Sequence, residues 1–151
     1  MQTLLDLHRE WLRQFERCVE DGQWDRLYPY LTDDVGYAVC GMPFACNIRG
    51  REAVVAGFAK SIENFDKRFD RRVWTAVGTK IYAPNGIRVR IWGHYEKEGY
   101  PVLAFPAIGY WTYRGDKIEQ MTDLYEEDVI EVQEAFAWLS ERPGQFDASY
   151  V

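Results

Sequence analysis

The sequence is short of the residues that hold small secreted or metal-bound folds together. It has 3 cysteines, Cys18, Cys40 and Cys46, an odd number with no Cys-x-x-Cys pair. That argues against a disulfide framework and fits a reducing, cytoplasmic setting. It has 2 histidines, His8 and His94, without ligand spacing for zinc, so no metal site is expected. No apolar run approaches the ~20 residues of a membrane span. The opening Met1-Gln2-Thr3-Leu4-Leu5-Asp6 becomes charged at once and has no signal-peptide core. Positive charge is also scarce: 18 Lys and Arg stand against 24 Asp and Glu, a net charge of −6. Binding led by nucleic-acid phosphates or by an anionic membrane is therefore not expected. No glycine-rich phosphate loop occurs, and no cofactor is expected.

What the chain has in excess is aromatic surface. Its 151 residues suit one compact domain, expected over 1–151. They include 6 Trp, 10 Tyr and 8 Phe, or 16% of the chain. A core of this size does not require so many rings, so some of them are expected to line a cavity for a small hydrophobic molecule.

Hydrophobic spacing predicts helices first, then strands, then a helix. Leu4, His8, Trp11, Leu12, Phe15, Cys18 and Val19 recur at helical period, and Asp21-Gly22 ends that helix. Trp24, Leu27, Tyr28 and Leu31 mark a short second helix, distorted by Pro29. Val35–Cys40 reads as a strand and Gly41–Arg49 as a loop. A third helix follows Gly50, with Val54, Phe58, Ile62 and Phe65 on one face. From Val73 the period is two. Four long strands are expected, turning at Pro84-Asn85-Gly86, Lys97-Glu98-Gly99 and Arg114-Gly115-Asp116. Asp128 with Glu131 suggests the cap of a last helix, and the tail to Val151 is expected to be loose. The order implies an α+β fold, an antiparallel or mixed sheet covered by helices on one face. Strands of roughly ten residues exceed the usual five or six. Such a sheet either curves into a cone around the helices or stays a flat sandwich, and the aromatic surplus favours the cone.

Trp24-Asp25-Arg26-Leu27, Leu31-Thr32-Asp33-Asp34-Val35, Tyr37 with Gly50-Arg51-Glu52-Ala53-Val54, and Arg114–Ile118 running to Thr122–Glu127 resemble the nuclear transport factor 2-like superfamily. The likeness covers residues 5 to 130 and is greatest to the SnoaL-like, ketosteroid-isomerase-like and scytalone-dehydratase-like members. It implies a cone-shaped sheet, a pocket, and a homodimer formed through the exposed sheet face. One fold of this kind carries many activities, including none.

Asp123 is the leading candidate residue, because a carboxyl between Met121 and Tyr125 on one strand face needs a reason to be there. In a dry pocket it would become a base near neutral pH. The resemblance places an acidic pocket residue at this position, and a backbone-bonded or outward Asp is the alternative. His94 would be its partner if it shares the pocket. It also shares a strand face with Arg88, Arg90 and Trp92, which suits solvent unless Gly93 forms a bulge. By the resemblance, His94 and Trp92 stand where epoxide-hydrolase-like members have an acid and an arginine, which argues against that reaction. Tyr37 serves either as a phenol donor to a substrate oxygen or as a core aromatic. Trp24, Tyr28, Trp92, Phe105, Trp111, Met121 and Tyr125 are candidate cavity walls, and His8 reads as a packed core histidine. Two functions remain open. One is a cofactor-free isomerase, dehydratase or cyclase acting on a hydrophobic ring or polyketide-like substrate by Asp/His acid–base chemistry. The other is a non-catalytic ligand-binding or dimerisation domain.

Overall fold

The computed structural model describes residues 1–82 and 84–151. Helix α1 spans Leu4–Asp21. It starts where the Thr3 hydroxyl accepts from the Asp6 N–H while the Asp6 carboxylate accepts from the Thr3 N–H. It stops at Gly22, whose φ of 73° is left-handed and whose N–H donates to the Cys18 carbonyl. Trp24–Tyr30 forms a 3-10 helix, the tighter form expected around Pro29. Strands β1 (Leu31–Cys40) and β2 (Cys46–Arg49) follow, then α2 (Arg51–Asn64), a 3-10 turn (Asp66–Arg68), and the long strands β3 (Arg71–Tyr82), β4 (Gly86–Glu96), β5 (Leu103–Arg114) and β6 (Lys117–Leu124). Helix α3 (Ile130–Ser140) closes the order.

The six strands form one sheet in the order β2-β1-β6-β5-β4-β3. All neighbours are antiparallel except β1 with β6, so the sheet is mixed. The expected run of four consecutive strands is present. Three local expectations are corrected. The segment read as a loop contains β2, because Cys46–Ile48 pair with Tyr37–Val39. Asp128 does not cap α3, whose first residue follows Val129 with no side-chain bond. The C-terminal tail is docked rather than loose. Phe146 and Ala148 are buried, the Ser61 hydroxyl donates to the Ala148 carbonyl, and Tyr150 packs edge-on to Tyr37. Burying rings such as Phe146 contributes about 1.5–3 kcal/mol each, enough to hold a short tail down.

The register decides which side chains point inward. Strand β4 pairs without interruption with β5 from Gly86↔Thr112 to Tyr95↔Leu103. Its odd residues, Ile87, Val89 and Tyr95, are buried, and the even ones face outward. No bulge occurs at Gly93. The irregularity falls across the ladder on β3, between Ala76 and Gly78. Gly93 is instead the floor beneath the Trp74 indole, where a β-carbon would collide with the ring.

Candidate functional site

Helices α1 and α2, the inner sheet face and the C-terminal tail enclose a cavity of about 540 Å³. That lies within the ~300–1,000 Å³ typical of small-molecule sites. Its walls are mostly rings and aliphatic chains, including Trp11, Phe15, Phe58, Trp74, Val89, Ile91, Trp111 and Met121. A second hollow of about 480 Å³ between Arg68, Tyr100 and residues 144–147 is open to solvent and has fewer apolar walls.

Asp123 reaches the cavity from β6, between Val39 of β1 and Gly109 of β5. The glycine makes room for it. A β-carbon at 109 would overlap the Trp111 ring and lie 3.3 Å from Asp123 Oδ1. The Tyr37 hydroxyl donates to Asp123 Oδ2 at 2.7 Å. Among the described residues, Oδ1 has no hydrogen-bond donor and no cation pairs with the carboxylate. Burial raises the Asp123 carboxyl to about 6, and the Tyr37 bond pulls in the opposite direction. The carboxyl keeps some accessible surface, which is the surface of the cavity itself. Burial and the neighbouring Asp123 charge push the Tyr37 phenol well above its ordinary value, so it stays protonated and acts as a donor. Tyr150 lines the same end, with its ring centroid 5.1 Å from that of Tyr37 and its hydroxyl beside those of Tyr37 and Ser61. The arrangement can take a proton at Oδ1 while Tyr37 fixes the orientation of the carboxylate.

A second polar group borders the cavity where α1, the turn after α2 and β3 meet. Arg72 Nε donates to Asp66 Oδ1 at 2.5 Å, Tyr95 Oη donates to the same oxygen at 3.2 Å, and Arg72 Nη1 bridges to Glu16. Burial raises the Asp66 carboxyl, while Arg72 and Tyr95 act to lower it. Burial would lower the Arg72 guanidinium, but Asp66, Tyr95 and Glu16 outweigh it and keep the guanidinium charged. Among the described residues, no three His, Cys, Asp or Glu side chains converge as metal ligands would.

Of the residues singled out by sequence, the cavity gathers Asp123, Tyr37, Trp111 and Met121. It does not gather His94. That imidazole stands on the outer face, its side chain 42% exposed, with Nε2 2.9 Å from Glu96 Oε1. The expected Asp123–His94 pair is therefore not formed, because an uninterrupted β4 puts positions 94 and 95 on opposite faces. Trp92 shares that outer face. Phe105 and Tyr125 are buried in the core, packed against Phe136, and do not line the cavity. Trp24 packs against Phe15, and Tyr28 lies under the Arg51 guanidinium. The sequence reading missed Trp74, Tyr95, Arg72, Asp66 and Tyr150. Trp11, Phe15 and Phe58, on the apolar stripes of α1 and α2, pack in the core and also form the helical wall of the cavity. Tyr95 had a usable signal, since it shares the odd face of β4 with Ile87, Val89 and Ile91; Trp74 had none, since Val73, Val77 and Ile81 mark the opposite face of β3 as the apolar one.

The architecture is shared with many solved structures at low identity. A candidate isomerase from Rhodopseudomonas palustris superposes with a TM-score of 0.67, at 13% identity over 87% of this chain and 96% of its own. A nuclear transport factor 2-like protein of Burkholderia xenovorans gives a TM-score of 0.60, at 12% identity over 87% and 94%. The chain has the nuclear transport factor 2-like fold. A Mycobacterium tuberculosis protein of similar architecture, solved in complex with estradiol-17β-hemisuccinate, gives a TM-score of 0.58 at 20% identity over 78% and 92%. Structures similar to this fold thus include a candidate isomerase and a small-molecule complex. No protein-family model matches the sequence, and no curated protein does. No helix among the described residues is long and apolar enough to cross a membrane.

Proposed function

We propose that the protein binds a small apolar ring molecule in the 540 Å³ cavity and moves a proton on it, with Asp123 as general base. One observation supports this above the rest. A carboxylate without a cation, raised to about 6, presents an unbonded oxygen to an apolar cavity. A base poised there is half or more ionised at neutral pH yet basic enough to take a proton from carbon or from a hydroxyl. Tyr37 holds the carboxylate in place rather than meeting the substrate, since its proton is already directed at Oδ2. The reaction class is an isomerisation, dehydration or cyclisation of a hydrophobic ring or polyketide-like substrate. The steroid ester held by the Mycobacterium tuberculosis protein supports a cavity of this fold taking a flat, fused-ring molecule. The free thiols suit a reducing, cytoplasmic setting. The outer sheet face and the exposed Val77, Ile81 and Tyr82 of β3 suit a homodimer, measurable by analytical ultracentrifugation.

The test uses a fused-ring ketone with an acidic C–H bond. Incubating the protein with 2-tetralone in D₂O and following loss of the α-proton signal by NMR reads proton transfer directly. The expected result is exchange above buffer for the wild type, reduced about 10²–10⁴-fold in Asp123→Asn. Exchange that persists in the variant would sink the assignment of the base. Binding without exchange would favour the second reading, a non-catalytic ligand carrier, which the largely apolar cavity also suits.

A further inference from the structure

Tyr150 lines the same cavity, and the proton-transfer reading leaves its hydroxyl unused. The tail that carries it is strapped along α2. The Asp147 N–H donates to the Asn64 carbonyl at 3.2 Å, and the Ser61 hydroxyl donates to the Ala148 carbonyl at 3.3 Å. Lys60 Nζ donates to Ser149 Oγ at 3.0 Å and to the Val151 carbonyl. Gly57 of α2 makes the seat, because a β-carbon there would lie 3.1 Å from the Tyr150 carbonyl oxygen and 3.4 Å from its Cβ. The residues around Tyr150 are thus tied down by polar bonds, and Tyr150 itself by its ring, which packs edge-on to Tyr37. The hydroxyl takes no part in that anchoring. It stands beside the hydroxyls of Tyr37 and Ser61, whose own protons are directed at Asp123 Oδ2 and the Ala148 carbonyl. Among the described residues it makes no hydrogen bond, and it keeps accessible surface. Burial and the Asp123 charge push the phenol above its ordinary value, so it keeps its proton and can donate it into the cavity.

We propose that the Tyr150 hydroxyl, brought in by the C-terminal tail, is the donor that meets the substrate oxygen while Asp123 takes the proton from the adjacent carbon. On a ketone the proton passes from the α-carbon to Asp123 Oδ1. The C–H electron pair becomes the C=C bond, and the carbonyl π pair moves onto oxygen to give an enolate. Return of the proton, or of a deuteron after the carboxyl exchanges with D₂O, reverses each movement. The oxygen gains charge inside an apolar cavity, where an anion without a partner is costly. A hydrogen bond aimed at it is stronger in the transition state than in the ketone, and that difference accelerates the step. Tyr37 is not available for this, because its proton already holds Asp123. One tyrosine therefore positions the base and the other meets the developing charge. The substrate class narrows to ring molecules with a carbonyl next to the carbon that loses its proton. This inference rests on the reading of Asp123 as the base.

The experiment follows exchange of the α-protons of 2-tetralone in D₂O across pH, on the full chain, in wild type, Tyr150→Phe, Tyr37→Phe and Asp123→Asn. Phenylalanine at 150 keeps the ring that packs on Tyr37, so the melting temperature should not change. Tyr150→Phe should lower the plateau rate about 10²–10³-fold. It should leave the midpoint near pH 6, because burial and Tyr37 set the Asp123 titration and Tyr150 does not. Tyr37→Phe should instead move the midpoint. Infrared spectra of bound, carbonyl-labelled 2-tetralone supply the contact itself. The stretch should lie at lower frequency in wild type than in Tyr150→Phe. If exchange is lost in Asp123→Asn but keeps its plateau in Tyr150→Phe, the base stands and the donor is overturned. A plateau that falls while the stretch is the same in both proteins, or a midpoint that moves with it, would show that the phenol acts without touching the oxygen, which overturns the proposal too. If the wild type gives no exchange above buffer, or Asp123→Asn exchanges as fast, the base reading fails and this inference fails with it.

Discussion

Two aspartates sit among the side chains of this cavity, and they are built differently. Asp66 is 8% exposed and is held by a guanidinium 2.5 Å away and by a tyrosine hydroxyl. Among the described residues, Asp123 has a tyrosine hydroxyl and no other partner. The first is a buried charge with a counter-charge, which a fold can keep as structure. The second is a buried charge without one, and burial moves its titration to about 6. A carboxylate that a protein leaves uncompensated in an apolar cavity is the one available for chemistry.

Removing the cation breaks the comparison most severely. Arg72→Met leaves Asp66 buried and unpaired, and chemical denaturation should show a loss of about 3–5 kcal/mol. Adding Asp66→Asn should restore most of that loss. A loss below ~1 kcal/mol would mean that Asp66 is no more compensated than Asp123.

Asp123→Asn should have the opposite sign. The folded carboxyl holds its proton up to about pH 6, against 3.8 for the ordinary group, so ionising it works against folding. That penalty is absent below pH ~4, grows as pH rises through 6, and is complete above it. Full burial would make it about 3 kcal/mol, and the carboxyl's residual exposure reduces this to about 2. Asp123→Asn should therefore melt about 4–8 °C higher than wild type at pH 8 and at nearly the same temperature at pH 4. Equal melting temperatures at both pH values would show that the carboxyl is well solvated and unsuited as a base.

Much of this was legible in the sequence because it depends on local pattern. The period-two runs fixed four strands, and the polar residue between Met121 and Tyr125 marked Asp123. Illegible were features set by distant pairing. Whether His94 faces in or out depends on one irregularity in the sheet, and that irregularity fell at Ala76/Gly78 of β3 rather than at Gly93. Tyr150 could not be placed because Phe146, Ala148 and Tyr150 are too few to give a period, yet Phe146 stacks on Phe69, the Ala148 carbonyl accepts from Ser61 of α2, and Tyr150 packs on Tyr37 of β1. The Arg72–Asp66 pair has a sequence separation of six and no helical spacing, so nothing local announces it.

A finer comparison concerns the two tyrosines. Tyr95 shares Asp66 with a cation, whereas Tyr37 is the only donor to Asp123 among the described residues. Tyr37→Phe removes the one bond favouring the ionised form, so the Asp123 midpoint should rise above about 6. Titration of a ¹³C-labelled carboxyl would read it directly, and the pH dependence of any proton exchange should move the same way. An unchanged midpoint would mean that the bond stabilises both forms equally and that burial alone sets the value.

His94→Ala should have the smallest effect, because the outer face is governed by solvent. Its imidazole and Glu96 are each more than one-third exposed, so their contact is screened by water. Exposed pairs of this kind contribute about 0–1 kcal/mol. The variant should keep wild-type stability within that range and leave the Asp123 midpoint and ring-ligand affinity unchanged. The expectation follows from the β4 register. Reaching the cavity from position 94 requires a one-residue slip, and that slip would turn Val89 and Tyr95 outward together. A large loss of binding in His94→Ala would therefore challenge the sheet itself, not only the role of one side chain.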